Sequence, residues 1–137
     1  MKIVKSIYLK APPEHVWKFL TQAEQLALWF HRGACDLEEG GDYAMVTNSY
    51  GKEGEQFMSG KVLEMKKPER LVHTFTHKWL KDVETTCTWT LEAVPGGTFL
   101  TLVHDGWEKC GEDAFEMASG HDKGWDQHFM RLRHVTN

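Results

Sequence analysis

The sequence predicts an α+β fold in which a curved antiparallel sheet of about six to seven strands wraps around a long C-terminal helix. Three observations point to this fold. Short apolar segments alternate with turn residues through the middle of the chain, as in an antiparallel meander. Two short helical segments follow the first strand, and one long helical segment ends the chain. Because a curved sheet needs a cover for its concave face, we expect the long helix to lie on it.

The N-terminal part of the chain is predicted to form one strand and two short helices. Residues 3–9 alternate in the manner of a strand. A first helix over residues 14–20 follows Pro12-Pro13, since proline is well tolerated in the first turn of a helix. Residues 21–24 have the spacing of a capping box, which predicts a second helix over residues 22–29.

Six further strands are expected in the middle of the chain. Gly40-Gly41 and Pro95-Gly96-Gly97 are hairpin signals, and Gly60 inside a strand indicates a bulge or a close approach of another backbone segment. The predicted strands cover residues 34–38, 42–48, 56–65, 70–79, 83–93 and 98–107, with a loop at residues 50–54.

The last segment reads as one long helix over residues 112–134. Acidic residues stand at its start and basic residues at its end, which suits the helix dipole. Trp125, Phe129 and Leu132 recur with the spacing of a helix face that lies on a sheet, and Gly120 is a candidate kink.

Alternation also predicts which strand residues point toward the helix. Polar residues, many of them threonine, mark the opposite, solvent-facing side. The residues predicted to face the core are Leu71, His73, Phe75, His77, Trp79, Cys87, Trp89, Leu91, Leu100, Leu102 and His104.

Length and composition bound the class of protein. The 137 residues fit a single domain over residues 1–137. Three scattered cysteines without close pairs argue against a disulfide framework or a structural zinc site and favour a cytoplasmic protein. A net charge of -4 with mixed signs leaves no basic stripe, and no apolar run approaches membrane-spanning length, so neither nucleic acid nor a membrane is an expected partner.

Seven segments, in order along nearly the whole chain, carry a family resemblance. They are APPEHVW at residues 11–17, LWF at 28–30, GGDY at 40–43, GKVLE at 60–64, PERLV at 68–72, GTFLTLVH at 97–104 and GW at 124–125. This set resembles the START-like (SRPBCC) helix-grip superfamily, in the branch related to the C-terminal domain of the activator of the heat-shock protein 90 ATPase. The resemblance implies the helix-grip fold. Similar proteins include carriers of hydrophobic ligands, polyketide cyclases and aromatases. The chaperone-activating relatives are longer and carry an additional N-terminal domain.

The leading functional hypothesis is non-enzymatic binding of a small hydrophobic molecule, aromatic or lipid-like. One helix on a wide sheet leaves unfilled space, and six tryptophans and seven phenylalanines can line it. No cofactor or metal is expected. The candidate ligand-binding residues are Trp29, Phe30, Phe57, His73, Phe75, His77, Trp89, His104, Trp125 and His128.

Two alternatives stay open. An inward histidine, His104 or His73, could act as general acid or base in a cyclase- or hydrolase-like enzyme, although no nucleophile–base set is readable and no catalytic residue is assigned. The second alternative, which the resemblance implies, is that the chain contacts a chaperone through its surface. A metal site is disfavoured because His73 and His77, four apart on a strand, would lie about 13 Å apart at about 3.3 Å per residue.

Overall fold

The computed structural model describes residues 1–47 and 55–137. The chain runs from a first strand through two short helices and six further strands to a long helix. In order, the elements are β1 (Lys2–Leu9), α1 (Pro13–Thr21), α2 (Ala23–Leu26), β2 (Arg32–Gly33), β3 (Asp42–Thr47), β4 (Glu55–Lys66), β5 (Arg70–His77), β6 (Thr85–Val94), β7 (Gly97–Asp105) and α3 (Ala114–Thr136). Short 3₁₀ turns at Lys78–Leu80 and Trp107–Asp113 complete the chain.

All seven strands of the described residues belong to one curved antiparallel sheet. Their spatial order is β1-β7-β6-β5-β4-β3-β2. The first strand therefore pairs with the last, and strands β2 to β7 form a meander. The register aligns Trp89 with Leu102 and Cys87 with both His73 and His104 across neighbouring strands. Inward side chains of three adjacent strands therefore stand side by side, as the alternation predicts.

The long helix is held to one edge of the sheet. Its backbone approaches β1 more closely than any other strand of the described chain. Lys5 of β1 forms ion pairs with Asp122 at 2.8 Å and Asp126 at 2.7 Å, one helical turn apart on α3. Trp125, Phe129 and Leu132 are buried on the side of α3 that faces the sheet, so the predicted apolar stripe is confirmed.

Several positions in the sheet require glycine, and Gly60 and Gly96 show the two reasons for it. A Cβ at Gly60 would overlap the Thr74 carbonyl and the ring of Tyr43, so the predicted close approach of another backbone segment is confirmed. Gly96, with φ +88°, makes the tight β6–β7 hairpin, in a backbone region that other residues rarely adopt.

Several local predictions are wrong. Residues 34–38 form no strand. The strand that pairs with β3 is Arg32–Gly33, and after it the Ala34 amide makes one more bond to β3, to the Ala44 carbonyl at 2.9 Å, before the chain leaves the sheet. The 70–79 strand ends at His77, and Trp79 lies in the following 3₁₀ turn with 49% of its surface exposed, so it does not point into the core. The strand expected from residue 83 starts at Thr85, and the one expected to reach residue 107 ends at Asp105.

The predicted capping box is also wrong. Gln22, not Thr21, is the N-cap of α2, which is shorter than expected. The Thr21 hydroxyl donates to the Trp17 carbonyl within α1 at 2.9 Å. The Asp36 carboxylate instead accepts from the Ala23 amide at 2.8 Å, so a side chain distant in sequence satisfies the orphan group.

The end of the chain matches the predicted long helix, and α3 continues through Gly120 without interruption. The predicted loop at residues 50–54 and the end of the strand expected at residue 48 lie outside the described residues. Within the described ranges, no helix has both the length and the apolar character needed to cross a membrane.

Candidate functional site

A cavity of about 340 Å³ lies between α3 and the sheet and opens at the surface. Its volume is within the range of about 300–1,000 Å³ that is usual for small-molecule sites. Most of its wall is aromatic or apolar, and four histidines and one carboxylate supply the ionisable groups. The lining residues are Phe30, His31, Phe57, Met58, Phe75, His77, Trp79, Glu116, Met117, Gly120, His121, Gly124, Trp125 and His128.

Two glycines on α3 leave room for this cavity. Gly120 and Gly124 are four residues apart, so they lie on the same face of the helix, toward the cavity. A Cβ added at either position would meet no atom within 4 Å. The space beside α3 is therefore created by missing side chains, although glycine weakens a helix by about 1 kcal/mol relative to alanine.

The predicted ligand-binding residues fall into two groups. Six of them line the open cavity: Phe30, Phe57, Phe75, His77, Trp125 and His128. The other four, Trp29, His73, Trp89 and His104, are buried and do not line it. Three of those four surround a gap of only about 20 Å³, which is about the space of one water molecule.

His73 is fixed by hydrogen bonds in the core. Trp89 Nε1 donates to its Nε2 at 3.0 Å, so the imidazole proton is on Nδ1. Nδ1 lies 2.9 Å from the Thr74 carbonyl and 3.0 Å from the Tyr43 hydroxyl. Both ring nitrogens are thus engaged, which leaves no lone pair for a substrate.

His104 is fixed in the same way with the opposite tautomer. Trp125 Nε1 donates to its Nδ1 at 3.0 Å, which places the proton on Nε2. Nε2 donates to the Thr85 hydroxyl at 2.7 Å, and that hydroxyl donates to the Phe75 carbonyl at 2.9 Å. This series of hydrogen bonds connects α3 to the three strands β7, β6 and β5 and occupies both nitrogens of a fully buried ring.

His77 and His121 form a third hydrogen-bonded unit on the cavity wall. The Trp79 amide donates to His77 Nδ1 at 3.2 Å, so His77 Nε2 carries the proton and donates to His121 Nε2 at 2.8 Å. His121 Nδ1 in turn donates to the Met117 carbonyl at 2.7 Å. The rings are nearly parallel with centroids 5.0 Å apart, so they meet edge to edge, as this hydrogen bond requires.

His31 and His128 form the remaining polar wall. Their ring centroids are 5.3 Å apart, and His31 also packs edge-on against Phe57 at 4.8 Å. His128 Nδ1 lies 2.6 Å from Arg131 Nη2 and 3.2 Å from the Trp29 carbonyl, and Arg131 Nε donates to the same carbonyl at 3.1 Å. Phe30 stacks on Trp125 beside them, with centroids 5.3 Å apart and planes inclined by 9°.

Burial keeps these histidines uncharged near neutral pH. Desolvation lowers the pKa of His31, His73 and His77 to about 4 and that of His128 to about 3. Desolvation also lowers the pKa of His104 and of His121. Burial raises the pKa of the Cys87 thiol well above its usual value, so Cys87 is a neutral core residue.

The described part of the chain contains no group of three or more His, Cys, Asp or Glu side chains placed to hold a metal ion. Every buried side-chain nitrogen or oxygen in that part also has a hydrogen-bond partner. The polar groups of the core therefore satisfy one another, and free polar atoms occur only where the cavity or solvent reaches them.

Sequence reasoning missed several of the lining residues. His31, Met58, Met117, His121 and the two glycines were not among the candidates. The Gly120–Gly124 spacing inside an amphipathic helix was an available signal, since glycine is unfavourable there unless space is needed.

Comparisons with known proteins agree with the fold. Over residues 10–137, the sequence matches the family described as Activator of Hsp90 ATPase homolog 1-like protein. Among curated proteins, none matches. Protein MLL2253 from Mesorhizobium loti has 23% identity and a TM-score of 0.83, with 98% of this chain and 96% of that one covered.

Two further solved structures are similar along their whole length. The solution structure of protein BH1534 from Bacillus halodurans has 26% identity and a TM-score of 0.78, covering 100% of this chain and 97% of that one. The solution structure of the Aha1 dimer from Colwellia psychrerythraea has 18% identity and a TM-score of 0.78, covering 99% and 96%.

Proposed function

This chain belongs to the family of Activator of Hsp90 ATPase homolog 1-like proteins, and we propose that it binds a small, mostly apolar molecule without chemically altering it. The observation that carries the proposal is the open cavity of about 340 Å³ with aromatic walls beside α3. A flat aromatic ligand or a short lipid-like one suits such walls, since aromatic side chains stack on planar groups.

The hydrogen bonds of the histidines support binding rather than catalysis. His73 and His104, the candidates for a general base, have both ring nitrogens engaged within the protein. The His77–His121 pair likewise uses all four nitrogens internally. A general base needs a lone pair within reach of a substrate proton, so an enzymatic role for these four histidines is the weaker alternative.

A titration tests the proposal directly. Naphthylmethanol, a small neutral aromatic probe, is added to the protein while indole N–H signals are followed by NMR. We expect the Trp125 signal to shift and the signal of Trp17, a buried residue of α1 that does not line the cavity, to stay unchanged. Saturable binding supports the proposal, whereas uniformly unchanged spectra with apolar probes of several shapes would contradict it.

A pair of matched variants locates the binding. Gly124→Leu places a branched side chain in the cavity, and Gln127→Leu places the same side chain on the exposed face of α3. We expect the first variant to lose binding and the second to keep it. Equal affinities in the two variants would place the ligand elsewhere.

A chaperone contact is a second candidate, and the family description is the observation that favours it. It is tested by measuring the ATPase rate of a purified heat-shock protein 90 with and without this chain. An unchanged rate and no co-sedimentation would exclude this role. We also propose a cytoplasmic location, which the three free cysteines support.

A further inference from the structure

One end of the cavity carries hydrogen-bond donors that no protein group uses. His128 Nδ1 lies 2.6 Å from Arg131 Nη2, which can only donate, and 3.2 Å from the Trp29 carbonyl, which can only accept. The two contacts require opposite tautomers. The contact with Arg131 is the shorter one and the Trp29 carbonyl already accepts from Arg131 Nε, so we take Nδ1 as the acceptor and place the imidazole proton on Nε2. Within the described residues, neither His128 Nε2 nor either nitrogen of His31 has a protein hydrogen-bond partner, and both rings line the cavity. Two imidazoles therefore offer free polar atoms to a molecule in the cavity.

The charge near this end is positive. The Arg131 guanidinium contacts the Nδ1 side of the His128 ring and is positioned by the bond from its Nε to the Trp29 carbonyl. The carboxylate on the cavity wall, Glu116, precedes His128 by twelve residues on α3, which is about 18 Å along a helix axis at about 1.5 Å per residue. The two ends of the cavity thus differ in sign, and an anionic group is favoured at the His128 end.

Besides desolvation, the positive charge of Arg131 lowers the pKa of both imidazoles, His31 and His128. Desolvation is the main cause of the lowered pKa of His31, and the charge of Arg131 is the second. For His128, desolvation is again the main cause, the neighbouring His31 adds to it, and Arg131 makes a smaller contribution in the same direction. A bound anion would oppose this effect, because a negative charge beside an imidazole stabilises its protonated form.

We propose that the cavity selects a flat aromatic carboxylate, with the ring system against Phe30 and Trp125 and the carboxylate hydrogen-bonded to His128 Nε2 and His31. This inference rests on the proposed ligand binding and adds the chemical class of the ligand. The donor on His128 is oriented before the ligand arrives, so little ordering is needed when a carboxylate accepts from it. A charge-assisted hydrogen bond of this kind is roughly twice as strong as a neutral one.

Three probes with one ring system test the inference on the unmodified protein at neutral pH by isothermal titration calorimetry. They are naphthoate, naphthylmethanol and naphthylmethylammonium. We expect naphthoate to bind about tenfold or more tightly than naphthylmethanol, as one charge-assisted hydrogen bond provides, and the ammonium probe to bind most weakly. Equal affinities for the three probes would overturn the inference and leave the proposed function standing. Absence of binding by all three would contradict both.

Two variants with a matched control identify the groups. Arg131→Gln removes the positive charge next to His128 Nδ1. His128→Phe keeps an aromatic ring and removes the hydrogen-bond donor. We expect both to lower naphthoate affinity toward that of naphthylmethanol, with naphthylmethanol affinity changing little. Arg133→Gln makes the same change of charge at an exposed position of α3 and should keep the preference. A preference for naphthoate that survives in both Arg131→Gln and His128→Phe would refute the assignment.

Discussion

The buried histidines should make the protein sensitive to mild acid, and His73 allows the effect to be worked out. Its pKa is lowered by burial from 6.5 to about 4, with a smaller opposing contribution from its bond to Thr74. In the unfolded chain the same imidazole takes up a proton near pH 6.5. Because the unfolded state then binds more protons than the folded state, the free energy of unfolding falls as the pH drops from 6.5 toward about 4.

The size of this effect is a substantial part of the stability of a small protein. A change in pKa from 6.5 to about 4 corresponds to about 3 kcal/mol at about 1.4 kcal/mol per pKa unit. Stabilities of natural domains are about 5–15 kcal/mol, so His73 alone would remove a large share. His104, also buried with a pKa well below its usual value, adds to the loss in the same direction.

Urea unfolding, followed by tryptophan fluorescence at several pH values between neutral and about 4, measures the effect. The control is His73→Gln, whose amide can accept from Trp89 and donate to the Thr74 carbonyl but does not titrate. We expect this variant to be less stable near neutral pH and to show a shallower pH dependence. An unfolding free energy that stays constant down to about pH 5 in the parent protein would refute the reasoning.

Three further substitutions test the packing. Gly124→Ala should raise the free energy of unfolding by about 1 kcal/mol in chemical denaturation, because the methyl group meets no atom and alanine favours the helix; a destabilised variant would show that the space is filled. Gly60→Ala, the same substitution against the Thr74 carbonyl, should cost about 3 kcal/mol or more, and a neutral effect would contradict the close approach. Thr85→Val should lower the free energy of unfolding by about 2–3 kcal/mol, because it leaves His104 Nε2 without an acceptor, while Thr90→Val on the exposed face should change it little. Equal changes in melting temperature for the two variants would argue against the buried hydrogen bonds of Thr85.

Much of the fold could be predicted because each strand has one face on the core and one on solvent. Cys87, Trp89 and Leu91 alternate with polar residues and are buried as expected. The prediction failed for Trp79, since alternation does not show where the chain leaves the sheet, and the 3₁₀ turn carries this residue outward. The capping box failed for a related reason: Asp36, distant in sequence, replaced the local partner.

The candidate site was less predictable because it depends on contacts between distant elements. Trp89 and Trp125 donate to histidines 16 and 21 residues away, and these bonds decide that His73 and His104 are structural groups. An inward position alone does not distinguish a histidine with both nitrogens engaged from one with a free donor. The free donor assigned to His128 depends on Arg131, one turn along α3, whose 2.6 Å contact with Nδ1 is shorter than the 3.2 Å contact of Nδ1 with the Trp29 carbonyl.

The ion pairs of Lys5 with Asp122 and Asp126 lie near the segment of α3 that contains the cavity glycines, yet none of these three side chains lines the cavity. They connect that segment to the edge strand and so contribute to the position of the helix over the sheet. For the ligand proposed above, the space available beside α3 would depend partly on these ion pairs, which do not line the cavity. Lys5→Met should therefore alter the affinity for a wide ligand more than that for a narrow one, although every residue of the cavity wall is unchanged.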